Sequence, residues 1–160
     1  MSEPKLGYIG LGNQGAPMAK RLVDWPGGLV VFDVRADAMT PLAELGATPA
    51  DSLADVAAAD VISVTVLNDD QVREVVGELG EHAKAGTVIA IHSTIEPETA
   101  PELAVKLRGR GIHVVDAPVS GGAGAADEGE LAVMVGADDE AYDIVKPVFK
   151  KWASMVVRAG

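Results

Sequence analysis

The sequence predicts an α/β fold built on a doubly wound, mainly parallel sheet. Three observations carry that expectation. Short apolar runs alternate with helical patterns along the whole chain, the signature of strands joined by helical crossovers. Hydrophobic residues make up 48% of the 160 positions but aromatics only 4%, so the core is one of Val, Ile, Leu and Ala, as suits strands buried on both faces. The opening run Leu6-Gly7-Tyr8-Ile9 feeds directly into Gly10-x-Gly12-x-x-Gly15 and then a helix-like segment, the strand, glycine turn and helix order of a dinucleotide-binding unit.

Taken in order, strands are expected at Leu6–Ile9, Leu29–Phe32, Val61–Val66, Thr87–Ile91, Ile112–Val115, Leu131–Val135 and Met155–Val157. Helices are expected near Gln14–Val23, Ala36–Leu45, Ser52–Ala58, Gln71–Glu78, Glu98–Arg108 and Asp139–Lys151. Pro17 fits a helix because it falls in the first turn, where its missing N–H costs nothing. Ser52-Leu53-Ala54-Asp55 reads as a capping box. Gly46 and Gly111 stand where helices should end in a left-handed residue. No linker, repeat or low-complexity tract interrupts the pattern, so residues 1–160 are read as one Rossmann-type domain.

Charge and composition exclude several functions. A formal net charge of −11 argues against a nucleic-acid or anionic-membrane surface, so an anionic ligand must be held locally by N–H groups and placed cations. With no cysteine, neither a disulfide framework nor a thiolate metal site is available, and no metal is expected. The start Met1-Ser2-Glu3-Pro4-Lys5 has no apolar leader and no run reaches membrane-spanning length, which sets a cytoplasmic protein as the expectation.

Three clusters carry candidate chemistry. In the glycine turn, Gly10 permits the sharp reversal, Gly12 leaves room for a pyrophosphate and Gly15 lets helix and strand approach, with Leu11, Asn13 and Gln14 completing the loop. Asp33 follows Gly15 by 18 residues, near the 20 or so at which an acid meets the adenine ribose, and its charge favours NAD over NADP. Arg35 complicates this, since a guanidinium pairs with a 2′-phosphate; Asp33 also reads as a helix cap. The second cluster, Val66-Leu67-Asn68-Asp69 and His92-Ser93-Thr94, follows two strand ends on the same rim. There Leu67 and Asn68 would face the cofactor and Thr94 its nicotinamide side, although the residue types alone read as loop and capping chemistry. The third, Asp116-Ala117-Pro118-Val119-Ser120-Gly121-Gly122-Ala123-Gly124-Ala125, is read as a glycine-rich loop. Its N–H groups and Ser120 hydroxyl suit a carboxylate, or else it is a flexible connection. His82 and His113 read as structural or solvated; His92 is placed beside the cofactor rim without a catalytic role.

Together these residues resemble the β-hydroxyacid dehydrogenase family, most closely its 3-hydroxyisobutyrate dehydrogenases and, more distantly, 6-phosphogluconate dehydrogenase. The resemblance rests on Gly10–Ala19, on Ser93-Thr94-Ile95, on Asp116–Gly122 and on Gly129-Glu130-Leu131 with Met134-Val135-Gly136. It implies hydride transfer between NAD(P) and a small β-hydroxyacid, with nicotinamide near Thr94 and the substrate carboxylate on Ser120, Gly121 and Gly122. The sequence departs from the family at Gln14, where methionine is usual, at Asn68, where proline is common, and at Ile91-His92. In the family the catalytic lysine and a helical second domain follow the segment resembling Met155–Gly160. No lysine among Lys84, Lys106, Lys146, Lys150 and Lys151 stands at that position, so the chain by itself is expected to be severely impaired, proton transfer being worth about 10²–10⁴ in rate. A homo-oligomer is expected. The competing expectation is a non-enzymatic NAD(P)-binding module ending at Gly160. A short-chain reductase is not expected, on the reading that neither Tyr8 nor Tyr142 opens a Tyr-x-x-x-Lys pair.

Overall fold

Residues 3–159, described by a computed structural model, alternate between strand and helix from the first element onward. In chain order they are β1 (Leu6–Ile9), α1 (Gly15–Lys20), β2 (Leu29–Phe32), α2 (Ala36–Glu44), β3 (Thr48–Pro49), α3 (Leu53–Val56), β4 (Val61–Val64) and α4 (Asp69–His82). There follow β5 (Val88–Ile91), α5 (Thr99–Arg108), β6 (His113–Asp116), β7 (Val119–Ser120), α6 (Gly122–Glu128), β8 (Leu131–Val135), α7 (Asp139–Phe149) and β9 (Ala153–Arg158). Met1, Ser2 and Gly160, at the ends of the expected domain, lie outside the described residues.

Six parallel strands form the main sheet in the order β3-β2-β1-β4-β5-β6. The order reverses between β1 and β4, and it is beyond the carboxyl ends at such a switch point that open α/β sheets bind ligands. A second sheet, β7-β8-β9, pairs β7 antiparallel and β9 parallel to β8, and an isolated bridge between Asp116 and Gly136 links it to the main one.

The strands are short and apolar because both faces are covered. Successive side chains of β1 and β5 go to opposite cores. Leu6, Tyr8, Val88 and Ala90 pack with Met18, Leu22 and Phe149. Ile9, Ile89 and Ile91 pack with Val72, Val76, Leu79 and Leu103 on the other side. Gly7 is small because a Cβ there would meet the Val56 Cγ1 at 2.7 Å.

Several boundaries differ from the sequence expectation. β4 ends at Val64 rather than Val66, because the Val66 N–H bonds the Ser93 hydroxyl instead of a neighbouring strand. α4 starts at Asp69, before the expected Gln71. Asn68 caps it by accepting the Gln71 N–H at 2.9 Å, and Asp69 and Asp70 favour the positive end of the helix. α1 and α3 are shorter than expected. The Asp116–Ala125 stretch is not a loop throughout: Asp116 ends β6, β7 takes Val119–Ser120 and α6 begins at Gly122. Alanines between its glycines sustain α6, and Gly129, at φ +71°, stops it. β3 also escapes sequence reading, since its Pro49 is tolerated only because the strand lies at the sheet edge.

Other boundaries stand as read. Ser52 Oγ accepts the Asp55 N–H. Gly46 adopts φ +119° and closes α2 with bonds from Gly46 N to Ala43 O and from Ala47 N to Leu42 O.

Candidate binding cleft

The three glycines of the first turn do different work. Gly10 is at φ +96°, and a Cβ there would lie 1.8 Å from the Thr65 carbonyl oxygen. A Cβ on Gly15 would lie 1.9 Å from the Gly10 oxygen and 3.3 Å from the Tyr8 ring. Both are therefore demanded by the protein's own packing. Gly12 is not: a Cβ there would meet nothing within 4 Å, and the residue is exposed on the cleft wall. Its small size leaves space for something outside the chain. At the head of α1, Gln14 provides no side-chain cap; the Ala16 N–H is bonded to the Gly12 carbonyl at 3.0 Å, and the positive end of the helix still favours an anion there. The Gln14 Nε2 is buried without a partner.

Asp33 holds this turn rather than capping α2, whose N-cap is Arg35 with no side-chain bond. Its Oδ2 accepts the Leu11 N–H at 2.8 Å and its Oδ1 the Arg35 N–H at 2.9 Å. Each oxygen keeps one further acceptor position. The Leu11 side chain is in the core, 4% exposed, and its N–H is spent on Asp33. The Arg35 guanidinium stands 3.8 Å from Asp33 and is 64% exposed, free to swing.

Between the turn and α4 lies a cleft of about 490 Å³. Its lining brings together Asp33 and Arg35 from beyond β2, Thr65 and Val66 from beyond β4, and Gln71, Glu74 and Val75 of α4, with Ile9, Phe32 and Leu53. Val34 and Leu67 stand on its rim at 91% and 88% exposure, above every other exposed large apolar side chain among the described residues. Two such side chains facing one concavity mark where an apolar body would be covered. Leu67 is held there by its N–H, which donates to the Gln71 Oε1 at 2.7 Å. Asn68-x-x-Gln71 is thus a capping arrangement that the sequence carries in plain view, and Gln71 and Glu74 are cleft residues that reading for motifs alone missed.

The neighbouring rim segment is tied to this one at two points. The Ser93 hydroxyl donates to the Val66 carbonyl at 2.8 Å and accepts the Val66 N–H at 2.9 Å. The Asp69 Oδ2 accepts the Thr99 hydroxyl at 2.5 Å and the Glu96 N–H at 3.0 Å, and these bonds hold its carboxyl below the ordinary range. Thr94 is exposed between the two ties.

Not every expected residue reaches the cleft. Gly10, Gly12, Asp33, Arg35 and Leu67 line it; Leu11, Asn13, Gln14, Gly15, Asn68, Thr94, Ser120, Gly121 and Gly122 do not. Ser120, Gly121 and Gly122 form an exposed corner where β7 passes into α6, with both glycines at positive φ, +131° and +78°. Asp116, at the end of β6, has its carboxyl pushed up by burial.

Two expectations need correcting. His92 is not on the rim but 3% exposed, between Tyr8, Phe149 and Trp152. Its Nδ1 donates to the Ala117 carbonyl at 2.9 Å, which leaves Nε2 to accept the Ser63 hydroxyl at 3.1 Å. Burial lowers its pKa to about 4, so it is a neutral core residue. Tyr142 does open a Tyr-x-x-x-Lys pair with Lys146. It is no reductase site: the Lys146 ammonium and the Arg158 guanidinium lie over the Tyr142 ring, and neither Tyr142 nor Lys146 lines the cleft. His113 has a partner, Asp138, at 3.1 Å.

The family model for the NAD binding domain of 6-phosphogluconate dehydrogenase matches residues 5–160. An uncharacterized oxidoreductase of Mycobacterium tuberculosis strain H37Rv is 64% identical over 160 residues, covering 98% of this chain and 54% of the relative. An oxidoreductase crystal structure from Mycobacterium avium 104 is 69% identical with a TM-score of 0.96, over 99% of this chain and 57% of that one. The Mycobacterium tuberculosis 3-hydroxyisobutyrate dehydrogenase, solved with L-serine, is 30% identical with a TM-score of 0.93, over 99% of this chain and 55% of that one. The chain thus spans about half the length of the relatives it matches.

Proposed function

Because the chain belongs to the family of the NAD binding domain of 6-phosphogluconate dehydrogenase, we propose that its cleft holds NAD in preference to NADP and serves an oxidoreductase acting on a small β-hydroxyacid. The observation that carries this is the pairing, in one cleft, of an open Gly12 with a carboxylate already fixed at Asp33. Gly12 admits the pyrophosphate to the N–H groups at the head of α1. Asp33 offers its two remaining acceptor positions to the ribose hydroxyls, and its charge repels a 2′-phosphate. Arg35, whose contact with Asp33 is only 3.8 Å and largely exposed, is the residue that would recruit NADP if Asp33 were lost.

The bound nicotinamide supplies the hydride acceptor. Thr94, on the rim tied down by Ser93 and Asp69, would fix the nicotinamide side, with Leu67 packing on the cofactor and Asn68 positioning that segment. Ser120 and the Gly121-Gly122 corner would take the substrate carboxylate, an exposed hydroxyl and backbone N–H groups being donors suited to it. We assign proton transfer to none of the chain's lysines, since none lines the cleft. Self-association is part of the same reading: Met134, Met155 and Val157 are 52%, 57% and 41% exposed on adjoining strands of the second sheet.

Calorimetric titration with NAD and NADP tests the cofactor reading. The chain should bind NAD at least about tenfold more tightly, and Asp33→Ala should erase the difference; equal binding by the unaltered chain overturns it. A chimera with the remaining half of the 64% identical relative tests the substrate. It should reduce NAD in the presence of short β-hydroxyacids. Tight NAD binding without turnover of any of them would favour the cofactor-binding module instead.

A further inference from the structure

The buried imidazole of His92 takes no part in lining the cleft, and it belongs to the pair Ile91-His92, where the sequence departs from the family it resembles. Its ring is held by several contacts. Phe149 and Trp152 stand nearly perpendicular to it, with centroids 5.2 and 5.1 Å away, and Tyr8 stacks at 6.4 Å. Its Nε2 takes the Ser63 hydroxyl at 3.1 Å. Fixed in this way, the ring aims its Nδ1 at the Ala117 carbonyl, 2.9 Å away. A carbonyl only accepts, so Nδ1 carries the proton. That carbonyl belongs to the Ala117–Pro118 peptide, and the bond therefore sets the plane from which Pro118 and β7 start out.

Ala117 is the entry to the Ser120–Gly122 corner. It is fully buried, and both of its backbone polar groups bind consecutive residues at the end of β5: its N–H the Ile91 carbonyl at 2.8 Å, its carbonyl His92. Beyond it the hold is slight. The Pro118 carbonyl takes the Met134 N–H at 3.2 Å, β7 pairs with β8 over two residues, and Gly121 and Gly122 follow at positive φ. On the other side of β5, Ser93 holds both backbone groups of Val66. Two consecutive side chains thus grip the segments that leave the flanking strands, Val66 beyond β4 and Ala117 beyond β6. We infer that His92 is a positioning residue: through Ala117 it sets where the Ser120–Gly122 corner stands relative to the Thr94 rim, and so where the substrate carboxylate stands relative to nicotinamide. This rests on the hydroxyacid reading above, in which those two segments hold substrate and cofactor. Such spacing matters to hydride transfer, since a misplacement of about 1 Å can cost about 10²-fold in rate.

The test uses the chimera with the remaining half of the 64% identical relative. His92→Leu keeps an apolar side chain among the three rings but has no donor. It should lower kcat/KM for a short β-hydroxyacid by about tenfold or more and leave the NAD affinity within about twofold. His92→Asn restores an N–H one bond from Cγ, where Nδ1 stood, and should recover kcat/KM to within about threefold of the unaltered chimera. Ser63→Ala takes the partner from Nε2 and spares the Ala117 bond, so it should lower the melting temperature while kcat/KM stays within about twofold. If kcat/KM instead follows the melting temperature across the three variants, His92 serves only the core and the positioning role is overturned. Equal losses in His92→Leu and His92→Asn, or a parallel fall in NAD affinity, overturn it as well. In the unaltered chain, ring nitrogen NMR shifts near neutral pH should show Nδ1 protonated and Nε2 bare; the reverse tautomer removes the bond to Ala117 and overturns the inference without touching the hydroxyacid reading. Turnover of no β-hydroxyacid by the unaltered chimera overturns that reading, and this inference with it.

Discussion

Gly12 and Gly15 sit three residues apart and carry different burdens. At Gly15 a methyl group would be driven to 1.9 Å from the Gly10 oxygen, a clash with backbone that no rotamer relieves. Gly15→Ala should therefore destabilise the fold by about 2 kcal/mol or more, within or above the usual cost of overpacking. At Gly12 the same methyl meets no protein atom within 4 Å, so Gly12→Ala should leave stability within about 0.5 kcal/mol yet weaken NAD by roughly tenfold or more, because the methyl occupies the pyrophosphate's approach. Urea unfolding alongside NAD titration separates the two; a Gly12→Ala chain that binds NAD normally would remove the pyrophosphate from this position. All three glycines of the turn are legible as a motif in the sequence. The motif also carries the division of roles: Gly10 for the reversal, Gly15 for the close approach of helix and strand and Gly12 for the ligand. What it does not carry is the contacts with Thr65 and Tyr8, brought from elsewhere, that make Gly10 and Gly15 obligatory.

At the scale of elements, the site is two rim segments held as a unit. The single hydroxyl of Ser93, at the end of β5, replaces the ladder partner that Val66 loses where β4 stops. Ser93→Ala strips both backbone groups of Val66 of that partner, and a buried polar group left unpaired costs about 1–3 kcal/mol. The expected outcome is a loss of that size in unfolding free energy, with faster amide exchange at Val66 and unchanged exchange in α7. Uniform acceleration across the chain would show that the tie is global, not local. Sequence reading placed Ser93-Thr94 on the right rim, but its grip on Val66 spans 27 positions and leaves no local pattern. The cap at Asn68-x-x-Gln71 is different: it was there to be read, and it moves the start of α4 two residues forward.

His92 shows what the whole molecule does to one side chain. It follows β5, bonds Ser63 of β4 and Ala117 beyond β6, and packs against Tyr8 of β1, Phe149 of α7 and Trp152. Neutral in the fold with a pKa of about 4, it takes up a proton near pH 6.5 once unfolded. Since the folded value is the depressed one, its contribution is complete above about pH 6.5 and is lost as pH falls toward 4, a total of about 3 kcal/mol. Asp60, Asp69 and Asp138, held low by their partners, act in the same direction but only below about pH 4, their unfolded range. Asp116, raised by burial, opposes the loss. Denaturant unfolding between pH 7 and 4.5 should show the decline, and His92→Gln should be less stable at pH 7 but nearly flat over that window. An equal slope in both would assign the decline to other groups.

The sequence by itself determined the α/β class, the first turn and its acid, and the family. Strand periodicity, glycine spacing and a carboxylate 18 residues on are local facts that survive without knowledge of contacts. Only the tertiary structure decided that Asp33 first serves the turn by holding the Leu11 N–H, that His92 is buried and neutral, that β3 and β7 exist, and that Gln71 and Glu74 share the cleft with Asp33. Each of these depends on pairing or burial between segments far apart in the chain. Such contacts form only when the six-stranded sheet sets β1 between β2 and β4, and so brings the ends of those strands to one crevice.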